Sequence, residues 1–251
     1  MFSASLALAR WVPVRLGLDV PLRVIIVVAS LLLAVPSVLA LLAHRVPVIA
    51  GLGIEPIPRR MVLMAVAAGL GLWTFSLGLI ELQYAVWPPP EGYLERFRHL
   101  HEALRPSGPL DAVWSAIAIA AAPALFEEVT VRGVLLPSLR PSLGATGAVV
   151  VSAAVFALMH DDPYRFAFTF AVGAALGALR LRAGSLWVVI LAHGSLNLLT
   201  FAAAPWLDDP SQPLPDPRPW LGAGLLLLGG AVSAAVFMRL RPLLTAPENP
   251  A

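Results

Sequence analysis

The chain has 251 residues, of which 59% are hydrophobic and 13% are charged, and its mean hydropathy is +0.82. Because a soluble domain carries about 25% charged residues, this composition excludes an ordinary soluble protein and predicts an all-α integral membrane protein. The formal net charge is +2 and the basic residues are scattered between apolar blocks, so we expect no nucleic-acid partner. Cysteine is absent, which excludes disulfides and cysteine metal ligands.

Seven apolar segments are long enough to span a bilayer, since about 20 helical residues cover roughly 30 Å. In chain order they are residues 24–43, 61–80, 111–139, 142–159, 166–179, 185–206 and 220–238. We predict a bundle of about seven transmembrane helices, with six and eight as alternatives. The whole chain, residues 1–251, is expected to form a single polytopic domain, with a lipid bilayer as its environment.

Four connecting segments differ in character. Residues 1–22 do not resemble a signal peptide, because Arg10 and Arg15 interrupt the apolar run, and we expect an amphipathic segment at the membrane surface. Residues 46–58 are apolar but broken by proline and glycine, which indicates a re-entrant or interfacial piece. Residues 91–104 predict an amphipathic interfacial helix, and residues 208–219 predict an extramembrane loop.

The third span contains three ionisable residues in an otherwise uncharged segment: Glu127, Glu128 and Arg132. Each costs about 2.5–3.5 kcal/mol at a bilayer centre, so such residues indicate a partner or a function. Glu128 and Arg132 are four positions apart with the acid first, the favourable order for a helical ion pair. We expect Glu128 to stay ionised beside Arg132 and Glu127 to be freer to exchange a proton. The structural alternative is a buried ion pair that only fixes helix packing.

Two more polar sets follow, Phe156-x-x-x-His160 at the end of the fourth span and His193-x-x-x-Asn197 within the sixth. A single histidine at a helix end is more often a satisfied interfacial residue than a ligand. The similar depths of these residues in the membrane favour a shared functional site over separate structural roles. Measured from the corners after the third and fifth spans, Glu127, His160, His193 and Asn197 lie about 18, 24, 14 and 20 Å along straight helices. Three helices are therefore expected to bring their polar groups to one cavity inside the membrane.

These three motifs, Glu127-Glu128-x-x-x-Arg132, Phe156-x-x-x-His160 and His193-x-x-x-Asn197, resemble in order those of the CPBP (Abi) intramembrane proteases. That family is related to the type II CaaX prenyl endopeptidases. The resemblance places the catalytic core at about residues 111–205 and implies hydrolysis of a peptide bond within the membrane.

The resemblance also implies roles for these residues. Glu127 and His160 would polarise the attacking water, and His193 with Asn197 would stabilise the oxyanion. Glu128 is included among the candidate catalytic residues, and Arg132 and Phe156 are assigned structural roles. A second scheme stays open, in which Glu128, His160 and His193 hold a zinc ion that activates the water. The cofactor prediction is accordingly either none or zinc.

The expected substrate is a membrane-anchored or lipid-proximal protein or peptide. Every basic residue is arginine and none is lysine, which indicates a GC-rich genome and the bacterial cytoplasmic membrane. A bacterial source favours a carboxy-terminal anchor or a lipid-proximal peptide over a prenylated CaaX tail. Two alternatives belong to other classes: a small proton-coupled transporter or channel that uses the Glu/His cluster as a relay, and a non-catalytic membrane scaffold with a polar core.

Overall fold

The computed structural model describes residues 9, 11, 13–207 and 216–240, and these residues form helices and contain no strand. The helices are α1 (Leu22–Ala43), α2 (Val48–Leu52), α3 (Arg59–Val86), α4 (Tyr93–Leu104), α5 (Pro109–Ala116), α6 (Ala122–Glu128), α7 (Leu136–Met159), α8 (Phe166–Ala183), α9 (Leu186–Leu207) and α10 (Pro219–Arg239). Two π-helical stretches, Ile117–Ala121 and Val129–Leu135, join α5 to α6 and α6 to α7. The predicted all-α membrane bundle is confirmed.

Six helices in the described part of the chain are long and apolar enough to cross a membrane, and one of them, Pro109–Met159, has 51 residues. It includes α5, α6 and α7. Within α7, Gly144 has φ 67° and ψ 179°, a conformation outside the helical region that glycine adopts readily. The chain reverses there. A straight helix would separate Arg132 from Phe156 by about 36 Å, but the guanidinium carbon of Arg132 lies 4.5 Å from the Phe156 ring centroid.

The seven predicted spans are therefore found as six helices, the third of which contains the third and fourth spans. The fifth span is longer than predicted, because α8 continues to Ala183 instead of ending at residue 179. The amphipathic segment predicted at residues 91–104 forms helix α4 from Tyr93 to Leu104. Of the predicted surface segment at residues 1–22, residues 9, 11 and 13–22 are described, whereas the predicted loop at residues 208–219 is described only from residue 216 onward.

The broken segment at residues 46–58 contains the short helix α2, which packs into the bundle. Leu52 at its end is buried. The next residue, Gly53, accepts a hydrogen bond from the Leu186 amide at 2.9 Å, and Arg180 donates to the Leu52 carbonyl at 3.1 Å. These bonds attach α2 to the corner between α8 and α9, beside the π-helical stretch that contains Arg132.

Among the described helices, the most extensive packing is between α3 and α10, and α9 also packs against α3. Glycine makes the α3–α10 contact possible. A methyl group on Gly229 of α10 would lie 2.5 Å from the Gly71 carbonyl oxygen and 2.7 Å from the Phe75 α-carbon of α3. Both distances are shorter than van der Waals contact. Small residues at such crossings let the backbones of membrane helices approach closely, and here they fix α3 against α10.

We expect Gly229→Ala to lower the stability of the protein by about 1–3 kcal/mol, since the added methyl group overpacks this contact. The measurement is thermal unfolding in detergent. Gly230→Ala is the matched control, because a methyl group at Gly230 would lie 3.9 Å from its nearest neighbour, the Phe75 ring. Equal unfolding temperatures for the two variants would contradict the prediction.

Candidate active site

A fully buried ion pair joins Glu128, at the end of α6, to Arg132 in the π-helical stretch that follows. Arg132 Nη1 donates to Glu128 Oε1 at 2.7 Å, and neither side chain has exposed surface. Arg132 Nη2 donates to the Gly173 carbonyl of α8 at 2.8 Å. The guanidinium also lies over the Phe156 ring of α7, a cation–π arrangement. One cation therefore connects the glutamate segment to both halves of the α7–α8 hairpin.

The helix around this pair is not a regular α-helix. Val129–Leu135 is π-helical, a geometry that occurs mostly as short bulges within α-helices and frequently at functional sites. Thr130, inside this stretch, donates to the Phe126 carbonyl at 2.9 Å and approaches the Leu33 carbonyl of α1 at 3.3 Å. The expectation of a straight α-helix through residues 111–139 is therefore wrong at this point, although the Glu128–Arg132 spacing still allows the ion pair.

His193 of α9 lies against both glutamates. Its Nδ1 is 2.9 Å from Glu128 Oε1, and its Nε2 is 4.0 Å from Glu127 Oε2. An ionised carboxylate only accepts hydrogen bonds, so His193 Nδ1 donates and Nε2 is the nitrogen that faces Glu127. Glu127 and His193 are both nearly buried, at 5% and 4% exposure. The two adjacent carboxylates thus have different surroundings. Glu128 accepts from two donors, and within the described part of the chain the nearest basic side chain to Glu127 is the more distant imidazole.

His160 follows the last residue of α7. Its Nδ1 lies 2.9 Å from the Phe156 carbonyl, and a carbonyl accepts, so Nδ1 donates and Nε2 is left for other partners. The rings of His160 and His193 both pack edge-on against Phe156, with centroids 4.8 and 5.7 Å away. Phe156 therefore supports both imidazoles. Asn197, one turn beyond His193, is half-buried and has no hydrogen-bond partner among the described residues.

The structure brings Glu127, Glu128, Arg132, Phe156 and His193 into one connected cluster, with His160 against its edge through Phe156. Asn197 lies nearby on α9 without a direct bond to the cluster.

The alternative zinc set of Glu128, His160 and His193 does not fit a metal ion in this arrangement. Among the residues that the structure describes, no three His, Asp or Glu side chains lie close enough together to hold one. Glu128 Oε1 already accepts from His193 and from the Arg132 cation. A guanidinium 2.7 Å from the ligand oxygen would repel a dication bound there.

Two features of the site have only a weak signal in the sequence. The Gly173-x-x-x-Gly177 pair indicates close helix packing, and a methyl group on Gly173 would lie 3.1 Å from Phe156 Cδ1. The sequence pattern does not predict the hydrogen bond from Arg132 to the Gly173 carbonyl, because every residue has a backbone carbonyl and a sequence motif cannot show which one accepts. The second feature is Tyr93 of α4, which donates to Asp162 at 2.7 Å, two residues after His160. Burial and then this hydrogen bond raise the pKa of the Tyr93 phenol.

We expect Arg132→Ala to lower the stability of the protein by about 3–5 kcal/mol, because it leaves the Glu128 carboxylate buried without its cation. Thermal unfolding in detergent measures the change. Arg140→Ala, in the same continuous helix but exposed, is the control and should leave stability within about 0.5 kcal/mol of wild type. A similar unfolding temperature for Arg132→Ala and Arg140→Ala would contradict a structural role for the pair.

A comparison with known families agrees with the three motifs. Residues 109–199 match the family described as type II CAAX prenyl endopeptidase Rce1-like. The match covers less than half of the chain, but it contains every candidate site residue and most of the predicted core at 111–205. No curated protein and no solved structure matches the chain. Over residues 109–199 the chain is therefore similar to the type II CAAX prenyl endopeptidase Rce1-like family, and this similarity supports the resemblance to the CPBP (Abi) membrane proteases.

Proposed function

We propose that this protein is an intramembrane endopeptidase in which Glu127 activates a water molecule for attack on a peptide bond. The observation that carries the proposal is the unequal environment of the paired carboxylates. Glu128 accepts hydrogen bonds from Arg132 and His193 at 2.7 and 2.9 Å. Among the residues that the structure describes, the nearest cationic or imidazole nitrogen to Glu127 is 4.0 Å away. A buried carboxylate without a close partner is well suited to accept and return a proton.

In the proposed reaction, Glu127 takes a proton from water while the water oxygen forms a bond to the scissile carbonyl carbon. His160, through its free Nε2, orients that water. The carbonyl oxygen becomes an oxyanion and accepts hydrogen bonds from His193 and Asn197, whose donors stabilise the charge as it develops. The C–N bond then breaks, and Glu127 returns the proton to the leaving amine.

Glu128 has a different part in this scheme. It does not touch the substrate, and it acts by holding His193. Because Nδ1 of His193 donates to Glu128, the ring can donate to an oxyanion through Nε2 only when both nitrogens carry protons. In that state the imidazolium is paired with Glu128 and faces Glu127, 4.0 Å away. Glu128 is therefore a positioning residue, and Arg132 keeps it in place.

The substrate that we propose is a protein with a membrane anchor or a lipid-proximal peptide, cleaved in the bacterial cytoplasmic membrane. The cluster is surrounded by helices long and apolar enough to cross a bilayer, which supports a substrate that also lies in or against the membrane. The loop after His160 is polar, with Asp161, Asp162 and Arg165. A scissile bond close to the membrane surface would reach the cluster from that end.

We expect Glu127→Gln to abolish cleavage and to leave the fold intact, because the amide keeps the shape and loses the proton-accepting charge. The purified variant and wild type are compared in proteoliposomes with a panel of single-span reporter proteins, and products are identified by mass spectrometry. Glu55→Gln, at an exposed carboxylate in the segment between α2 and α3, is the control and should cleave as wild type does. Near-wild-type cleavage by Glu127→Gln would remove Glu127 from the mechanism.

We expect cleavage to persist in a metal chelator, since the proposed steps use only Glu127, His160, His193 and Asn197. Metal content of purified wild type, His160→Ala and His193→Ala is measured beside activity by plasma mass spectrometry. Stoichiometric zinc in wild type that disappears in both histidine variants would favour the zinc scheme and overturn the metal-free mechanism proposed above. Hydrolysis of a peptide bond would remain the proposed reaction.

A further inference from the structure

The loop that follows His160 begins with a residue in an unfavourable backbone conformation, and a carboxylate in the loop stabilises the turn. Asp161 has φ 51°, in the left-handed region that residues other than glycine rarely adopt. The next residue, Asp162, accepts hydrogen bonds at Oδ1 from the amides of Tyr164 and Arg165, at 3.1 and 3.3 Å. These bonds close the turn between α7 and α8. The direction in which the chain leaves His160 therefore depends on where the Asp162 side chain is held.

The position of Asp162 is set from outside the loop. Its other oxygen, Oδ2, accepts from the Tyr93 hydroxyl at 2.7 Å, and Tyr93 is the first residue of α4 and is buried. Both carboxylate oxygens thus have partners, one set within the turn and one on a different helix. Such a carboxylate has little freedom to move, because each bond restricts the geometry of the other.

The same loop is attached to the end of α3 through Tyr164. Gln83 donates to the Tyr164 carbonyl at 2.7 Å, and the Tyr164 hydroxyl donates to the Trp87 carbonyl at 3.1 Å. The Tyr164 ring packs edge-on against Trp87 and Tyr93, with centroids 5.2 and 4.8 Å away. We call Gln83, Trp87, Tyr93, Asp162 and Tyr164 the loop clamp. It connects the interfacial segment between α3 and α4 to the residues beside His160.

We propose that Tyr93, acting through Asp162, is a positioning residue that holds the His160 imidazole in the site; this inference rests on the proposed function. Within the described residues, the His160 side chain makes one hydrogen bond, to the Phe156 carbonyl one turn back. It lies at the junction where α7 ends and the strained turn begins. Movement of Asp162 would therefore rotate the last turn of α7 and displace His160 Nε2 from the water that it orients. Small displacements of a catalytic group have large effects on rate.

The test is Tyr93→Phe, which removes only the hydroxyl and keeps the ring that packs against Tyr164. We expect kcat to fall about tenfold with KM within about twofold of wild type, as the loss of one buried hydrogen bond that acts on the catalytic step implies. Hydrogen exchange of the peptide that covers residues 160–165 should become faster, because the amides of Tyr164 and Arg165 depend on Asp162. Tyr84→Phe is the matched control, since the Tyr84 hydroxyl has no hydrogen-bond partner among the described residues, and it should match wild type in both measurements.

Unchanged exchange at residues 160–165 in Tyr93→Phe would overturn the proposal, and so would faster exchange with an unaltered kcat. If wild type itself cleaves no substrate, the proposed function fails separately. The positioning role is then decided by the rate at which diethyl pyrocarbonate acylates His160, followed by peptide mass spectrometry. An altered rate in Tyr93→Phe and not in Tyr84→Phe would support the role, and equal rates in all three proteins would overturn it.

Discussion

The buried guanidinium of Arg132 is the constraint on which the other contacts of the site depend. A charge without solvent is costly unless it is paired and hydrogen-bonded, and Arg132 has partners from three separate elements, although its Nε has no hydrogen-bond partner among the described residues. Glu128 neutralises it, the Gly173 carbonyl accepts a second bond, and the Phe156 ring covers its face. To satisfy one cation, the glutamate segment, α7 and α8 must therefore adopt a single mutual arrangement.

That arrangement separates the tasks of two adjacent carboxylates. Glu128 is oriented by Arg132, and the same oxygen accepts from His193, which fixes the imidazole of α9 relative to the other helices. Glu127 projects from the same helix in a different direction, and its one nitrogen partner among the described residues is His193 Nε2 at 4.0 Å. The pair is thus not redundant. One member organises the site, and the chemistry that we propose belongs to the other.

Helix α3 connects this site to its surroundings in two ways. Along its length, glycines let it pack closely against α10, and α9 with His193 packs on another of its sides. At its end, Gln83 holds the loop after His160 through the Tyr164 carbonyl. The positions of His160 and His193 therefore both depend on contacts with α3, although the two histidines belong to different hairpins of the bundle. Rigid elements that carry supporting contacts are what keep catalytic groups in register.

The sequence by itself determined the class of protein, the approximate spans and the Glu128–Arg132 pair, because hydropathy and helical spacing are local properties. The tertiary structure decided that the chain reverses at Gly144 within one helix, that His193 turns Nδ1 to Glu128, and that Tyr93 reaches Asp162. The sequence could not predict these features. They depend on how each helix is rotated about its axis and how closely it approaches its neighbours, and packing between distant segments sets both.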